Sequence, residues 1–228
     1  MEWRHVDAFT LYLLAVLGEC RARADERVDD SSRSRGARPQ AQARVSERSV
    51  HASLADILAD VAANSIEACA TRIEVSVREA GDRIVLAVKD NGKGMPPEIL
   101  ARAFDPFYTE PGKHDKRKVG MGLPFVRQTC EACGGEVTLE SAVGVGTTLT
   151  CTFQRNSIDL PPMGDLPNTV LSLFNYPGEF ELLFRRQRDD ADYEIARSEL
   201  AEAVGGFASV EALGLAREFL VSQEDSLS

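Results

Sequence analysis

The chain has 228 residues, 43% of them hydrophobic, enough to bury a core and to hold one large domain or one domain with a small appendage. Its 26 Lys and Arg against 36 Asp and Glu leave a net charge of −10, which argues against nucleic acid as the main partner, because neutralising phosphates needs a basic surface. The longest purely apolar run, "LYLLAVL" at residues 11–17, is far short of a bilayer span and is followed by no small-residue cleavage site, so a cytoplasmic location is expected.

Residues 1–50 open with that short apolar helix candidate and continue as "RARADERVDDSSRSRGARPQAQARVSERS". Such a composition has almost nothing to bury and reads as a disordered N-terminal extension, either a regulatory tail or sequence upstream of the true start. Residues 51–154 are dense with periodic signals. "SLADILADVAANSIEACA" places Leu54, Ile57, Leu58, Val61 and Ser65 on one helical stripe, with Ser53 as N-cap. "RIEVSVRE" and "RIVLAVKD" alternate with period two around "AGD", the pattern of a hairpin. After "DNGKGM" come Pro96, Pro97 and a short helical stretch, "EILARAF". "GLPFVRQTCEACGG" predicts a helix stopped by two glycines, and "EVTLESAVGVGTTLTCTF" predicts two strands with a glycine-bearing turn.

Residues 155–228 read as a smaller α/β unit. "GDLPNTVLSLFN" predicts a helix capped by Asp165, "EFELLFRRQ" and "DYEIARS" a strand pair, and "VEALGLAREFLVSQ" a closing helix. The five cysteines are an odd count, and most lie in helix or strand patterns, which suits a reducing compartment better than a disulfide frame. Cys130 and Cys133 form a C-x-x-C pair without a second ligand pair, so packing is the favoured reading over redox or metal chemistry.

The chemistry concentrates in the middle region. The strand "RIVLAVKD" runs into Asp90, Asn91, Gly92 and Gly94, a turn signal with no second strand behind it. On the first long helix Asp60, Asn64 and Glu67 fall at i, i+4 and i+7, on one side next to the apolar stripe. An asparagine carbonyl is a hard oxygen, the kind of single protein ligand that suits a Mg²⁺ ion otherwise held by waters and substrate phosphates. Further along stand "FDPFYT", the loop "EPGKHDKRK", "VGMGLPFV" and "GVGTTL".

In this order the pieces resemble the nucleotide-binding boxes of the GHKL superfamily, which includes gyrase B subunit, heat-shock chaperone, histidine kinase and MutL. Asn64 matches the N box, residues 90–94 the first glycine box, 104–107 the F box, 120–122 the second glycine box and 144–148 the last glycine element. The resemblance implies an α+β fold, a two-layer sandwich of mixed or antiparallel sheet with helices on one face, here with the small α/β appendage. It implies ATP and Mg²⁺ as cofactors, with Asn64 on the metal. Asp90 would accept a hydrogen bond from the adenine amino group, and Gly92, Gly94 and Met95 would lie close to the base. Glu67, Phe104, Leu123 and Gly122 belong to the same implied nucleotide site, as do Lys118, Gly120 and Met121. Glycines opening a helix leave N–H groups for phosphate. Residues 110–119, with Lys113, Lys116, Arg117 and Lys118, read either as a lid over the phosphates or as an exposed basic loop. Thr147 reaches a phosphate or the nucleotide edge, or only caps a strand. Asp60 stands where gyrase B subunit and MutL carry a glutamate that polarises the attacking water, so it is the candidate general base, one methylene shorter. Glu67 departs from the basic residue of many histidine kinases.

Three functional readings follow from the resemblance. The first is a histidine-kinase-like phosphotransfer module acting in trans on a signalling partner such as a response regulator, since no phosphoacceptor hairpin can be drawn before the N box around His5 or His51. The second is an ATP-driven conformational switch with weak ATPase activity. The third is a serine/threonine kinase of the anti-sigma type. Whether the chain is a kinase or a weak ATPase, and whether it forms a homodimer, stays open at this level. The stretch from "VGMGLPFV" into "IDLPPMGDLPNTVLSLF" most resembles standalone histidine-kinase-like ATP-binding proteins of anaerobic bacteria.

Overall fold

The computed structural model of the chain describes residues 53–106 and 122–227. The element order is α1 (Leu54–Glu67), β1 (Arg72–Ala80), β2 (Arg83–Asp90), α2 (Pro97–Leu100), α3 (Gly122–Ala132), β3 (Glu136–Ala142) and β4 (Gly146–Gln154). It continues with α4 (Leu166–Phe174), β5 (Glu181–Arg188), β6 (Ala191–Ala196), α5 (Arg197–Val204) and α6 (Val210–Ser226). The fold is α+β, one mixed sheet of six strands in the order β3-β4-β2-β1-β5-β6. Every neighbouring pair is antiparallel except β1 and β5, which run parallel from Arg72↔Glu181 to Glu79↔Arg188.

One face of the sheet is buried and carries the helices. Period-two alternation puts Ile73, Val75 and Val77 of β1, Ile84, Leu86 and Val88 of β2, and Leu149, Cys151 and Phe153 of β4 on that face, all at most 3% exposed. Against it lies the stripe of α1, with Leu54, Ile57, Leu58 and Val61 buried. Ser53 caps α1 by accepting from the Asp56 N–H at 3.2 Å. The first two helical N–H groups are satisfied from far along the chain, Leu54 by the Pro162 carbonyl and Ala55 by that of Met163, both at 2.9 Å. The segment leading to α4 is thereby strapped across the start of α1, and Asp165 caps α4 by accepting from Asn168 N–H at 3.0 Å.

Sequence periodicity sets residues 155–228 apart, but their strands complete the same sheet, and residues 49–228 form one compact unit. Without β5, strand β1 would present an open edge of the sheet, and the C-terminal hairpin covers it. The segment "DYEIARS" also divides differently from its strand pattern. β6 ends at Ala196, and α5 starts at Arg197, whose guanidinium donates to the carbonyls of Phe174 at 2.7 Å and Phe180 at 2.9 Å. The thiols of Cys130, Cys133 and Cys151 are free and buried, and burial pushes the Cys133 thiol up. Among the described residues no helix is long and apolar enough to cross a membrane.

A cluster of charges fastens α6 to the sheet. Arg186, 3% exposed, lies on the apolar face of β5 and pairs with Glu79 of β1. It also donates to Glu224 of α6 at 3.3 Å and to the Gln187 carbonyl at 2.9 Å. Tyr193 donates to the other Glu224 oxygen at 2.7 Å, and burial together with the Glu224 carboxylate holds its phenol above its ordinary value, so it remains a donor.

Two substitutions probe this scaffold by urea unfolding. Arg186→Ala leaves Glu224 without its cation and Glu79 with Arg155 alone, 3.8 Å away, and is expected to lower the unfolding free energy by about 3 kcal/mol. Gly94 has φ of +66°, and a β-carbon there would sit 1.9 Å from the Ala142 carbonyl oxygen. Gly94→Ala is therefore expected to cost about 2 kcal/mol or more.

Candidate functional site

The site is built at the end of the sheet where β2 stops. Asp90 is the last residue of β2, paired across to Thr147 of β4, so both side chains project from the helix-bearing face. Its carboxylate is held from two sides. Ser65 of α1, 5% exposed, donates to Oδ2 at 2.6 Å, and the Gly92 N–H donates to Oδ1 at 2.8 Å. A carboxylate has about four lone-pair positions, so two accepted bonds leave acceptor capacity for a ligand. Next to Asp90 and Thr147 on the same face come Val88 and Leu149, buried in the core against Ile57, Leu58 and Val61 of α1.

Asn91 turns the chain here. Its Oδ1 accepts from the Thr71 and Arg72 N–H groups at 2.9 and 2.8 Å, tying the loop to the start of β1. The loop then packs against two other backbone segments. The Lys93 N–H donates to the Ala68 carbonyl at the end of α1, and the Lys93 carbonyl accepts from Gly144 N–H in the β3–β4 turn at 2.9 Å. The close approach that these glycines permit is to protein backbone: a β-carbon on Gly92 would lie 2.8 Å from the Ala68 carbonyl oxygen, and one on Gly146 1.9 Å from that of Asp90. This explains why a strand ends in an acid and two glycines without turning back on itself: the segment is a junction of three chain stretches, and Asp90 is seated by it.

Ser141 completes the junction. Its hydroxyl accepts from Met95 N–H at 2.8 Å, donates to the Gly146 carbonyl at 3.0 Å and lies 2.9 Å from the Thr147 hydroxyl. Thr147 is thus part of a hydroxyl pair next to Asp90. Sequence spacing puts Ser65 on the helical stripe without giving it a role, and it does not mark Ser141. Ser65 carried a usable signal, because a serine on an otherwise apolar helical stripe needs a buried partner.

On α1, Asp60, Asn64 and Glu67 are exposed along one side, adjoining the stripe that carries Ser65. Asp60 reaches across to α3: its Oδ2 lies 2.3 Å from where a β-carbon on Gly122 would be. Gly122 is the first residue of that helix, and Leu123, half-buried, is the second. Phe104 lies under the Arg127 guanidinium of α3, 5.5 Å from its ring centre, and Arg127 also bonds Glu131 at 3.0 Å. The structure therefore gathers Asp90, Gly92, Gly94, Met95 and Thr147 at one junction, with Asn64 next to Ser65 and Asp60 at the start of α3. Lys118, Gly120, Met121 and the proposed lid at 110–119 lie outside the described residues.

The chain has clear relatives. Residues 50–157 match the family described as histidine kinase-, DNA gyrase B-, and HSP90-like ATPase. The signal transduction histidine-protein kinase AfsQ2 of Streptomyces coelicolor is 34% identical over 110 residues, 46% of this chain and 21% of that protein. The sensor histidine kinase YxdK of Bacillus subtilis is 37% identical over 83 residues, 36% of this chain and 26% of its own length. The chain thus spans about a fifth to a quarter of these curated relatives. Among solved structures, the N-terminal domain of a DNA repair protein overlaps 72% of this chain and 59% of its own at a TM-score of 0.48 and 15% identity. The catalytic domain of the histidine kinase ThkA overlaps 43% of this chain and 65% of its own at a TM-score of 0.36 and 23% identity. Residues 50–157, with their boxes in register and a kinase-like stretch of sequence, belong to the histidine kinase-, DNA gyrase B- and HSP90-like ATPase family.

Proposed function

We propose that this chain binds ATP with Mg²⁺ between α1 and the β2–β4 end of the sheet and transfers phosphate to a separate signalling protein. The observation that carries the nucleotide reading is the Asp90 carboxylate at the end of β2, fixed by Ser65 and Gly92 with acceptor capacity to spare. Adenine offers an amino group to such an acceptor, whereas guanine offers an oxygen at the same place and leaves two acceptors facing each other.

The phosphates then point along α1 towards Asp60 and the first turn of α3. A Mg²⁺ ion would be held by the Asn64 side-chain oxygen and the phosphates, supplying charge neutralisation; the exposed amide on α1 is a hard oxygen donor and fits that part. Asp60, whose carboxylate lies against Gly122 at the start of α3, would orient or deprotonate the group that attacks the terminal phosphate. The partner is a phosphoacceptor protein of the response-regulator kind, in keeping with the relatives, which are named as sensor and signal-transducing histidine kinases.

Calorimetric titration tests the nucleotide site. ATP is expected to bind at least about a hundredfold tighter than GTP, and Asp90→Asn to abolish that preference, because its amide presents donors where the carboxylate accepts. Ser65→Ala is expected to weaken ATP and ADP alike, by roughly tenfold, through loss of one charge-assisted hydrogen bond. Asn64→Ala should remove the magnesium-dependent part of the affinity and spare ADP measured in EDTA. Unchanged ATP affinity in Asp90→Asn would sink the adenine assignment. For transfer, label from the γ-phosphate should appear on the partner, and acid lability of that label separates a histidine or aspartate acceptor from a hydroxyl one.

A further inference from the structure

The hydroxyl of Ser141 decides what the Thr147 hydroxyl can offer a ligand. Three groups surround it: the Met95 N–H at 2.8 Å, the Gly146 carbonyl at 3.0 Å and the Thr147 hydroxyl at 2.9 Å. A hydroxyl has one proton and two lone pairs. The N–H only donates and the carbonyl only accepts, so the Ser141 proton goes to Gly146 and one of its lone pairs to Met95. Thr147 then meets Ser141 by donating its own proton to the remaining lone pair. Ser141 is the one hydrogen-bond partner of the Thr147 hydroxyl among the described residues, so both Thr147 lone pairs stay open.

Thr147 stands directly across from Asp90 on the same face of the sheet, a pairing that puts their β-carbons about 5 Å apart. Both residues are half-buried, and Asp90, which accepts from Ser65 and Gly92, keeps lone pairs of its own. The pair therefore presents acceptors only. A carbonyl brought between them would set acceptor against acceptor on both sides, a desolvation that no hydrogen bond offsets. An amino group carries two N–H bonds, one for each.

Resting on the nucleotide reading above, we propose that Ser141 is a positioning residue that sets base specificity by holding the Thr147 hydroxyl as an acceptor. Asp90 and Thr147 then read together the two N–H bonds of an exocyclic amino group and reject a purine with oxygen in its place. Ser141 acts through Thr147, and its bond from Met95 keeps the loop that follows Asp90 in the same register.

The test is calorimetric titration of the full chain with ATP and with inosine triphosphate, whose base carries an oxygen where adenine carries the amino group. Wild type is expected to prefer ATP. In Ser141→Ala the Thr147 hydroxyl is free to turn and donate to that oxygen. The preference is expected to shrink roughly tenfold, with the inosine nucleotide bound tighter and ATP weaker, the scale of one hydrogen bond gained and one lost. Adding Thr147→Val to Ser141→Ala removes the new donor and should abolish the gain. A merely structural serine would weaken both nucleotides alike. An unchanged preference in Ser141→Ala, or a gain that survives in the double variant, overturns the proposal and leaves the adenine site standing where Asp90→Asn still alters the preference. Should urea unfolding show Ser141→Ala to be unfolded, Thr147→Val alone decides. ATP binding weakened severalfold with the inosine nucleotide unchanged supports the acceptor role, and equal loss for both overturns it. Absence of ATP binding by wild type, or a preference that Asp90→Asn does not alter, overturns the nucleotide reading and this inference with it.

Discussion

The hydrogen bond from Ser65 to Asp90 joins the first helix to the end of the second strand across 25 residues of sequence, and the functional end of the molecule is organised around it. A carboxylate on the buried face of a sheet is costly to keep charged unless donors replace the lost water. Here the serine hydroxyl and the Gly92 N–H supply them, and both come from elements whose positions are fixed by other contacts. The same bond fixes the rotation of α1 and with it the position of Asn64, one residue earlier and exposed. A helix rotated by one residue would lose the serine and misplace the amide together, so the geometry of the polar groups is specified by one register.

The glycine-rich loop shows how such a register is made rigid. Its backbone is gripped by the end of α1, by the start of β1 through Asn91, and by the β3–β4 turn through Gly144 and Ser141. Asn91 and Ser141 grip through side-chain oxygens, and at Gly92, Gly94 and Gly146 the neighbouring backbone comes so close that only a missing side chain allows it. Turn chemistry and ligand-site chemistry thus coincide in the same few residues, because the loop that seats the acid must itself be seated by backbone.

The C-terminal residues are mechanically part of this arrangement. Carbonyls of Pro162 and Met163 satisfy the start of α1, β5 covers the free edge of β1, and Arg186 binds α6 to both. A force or a partner acting on α6 or α4 therefore bears on the helix that carries Asp60, Asn64 and Ser65. Buried ion clusters of this kind add little net stability over an apolar core, but they specify one mating of elements, since any other leaves a charge buried alone.

Local pattern was enough for much of this. Period-two and helical spacing marked α1, the strands and the closing helix; Ser53 and Asp165 announced their caps; and the order of Asp60, Asn64, Asp90 and the glycine-bearing segments announced the ATPase family. These features are legible because capping, alternation and turn chemistry act over a few residues. What the tertiary structure alone decided is who meets whom: β5 running parallel on β1, Arg186 turned into the core to find Glu79, Ser65 on Asp90, Asp60 against Gly122. Periodicity states which face a residue occupies and not which distant residue lies opposite, and a buried polar side chain declares its purpose only once its partner has been brought to it through the fold.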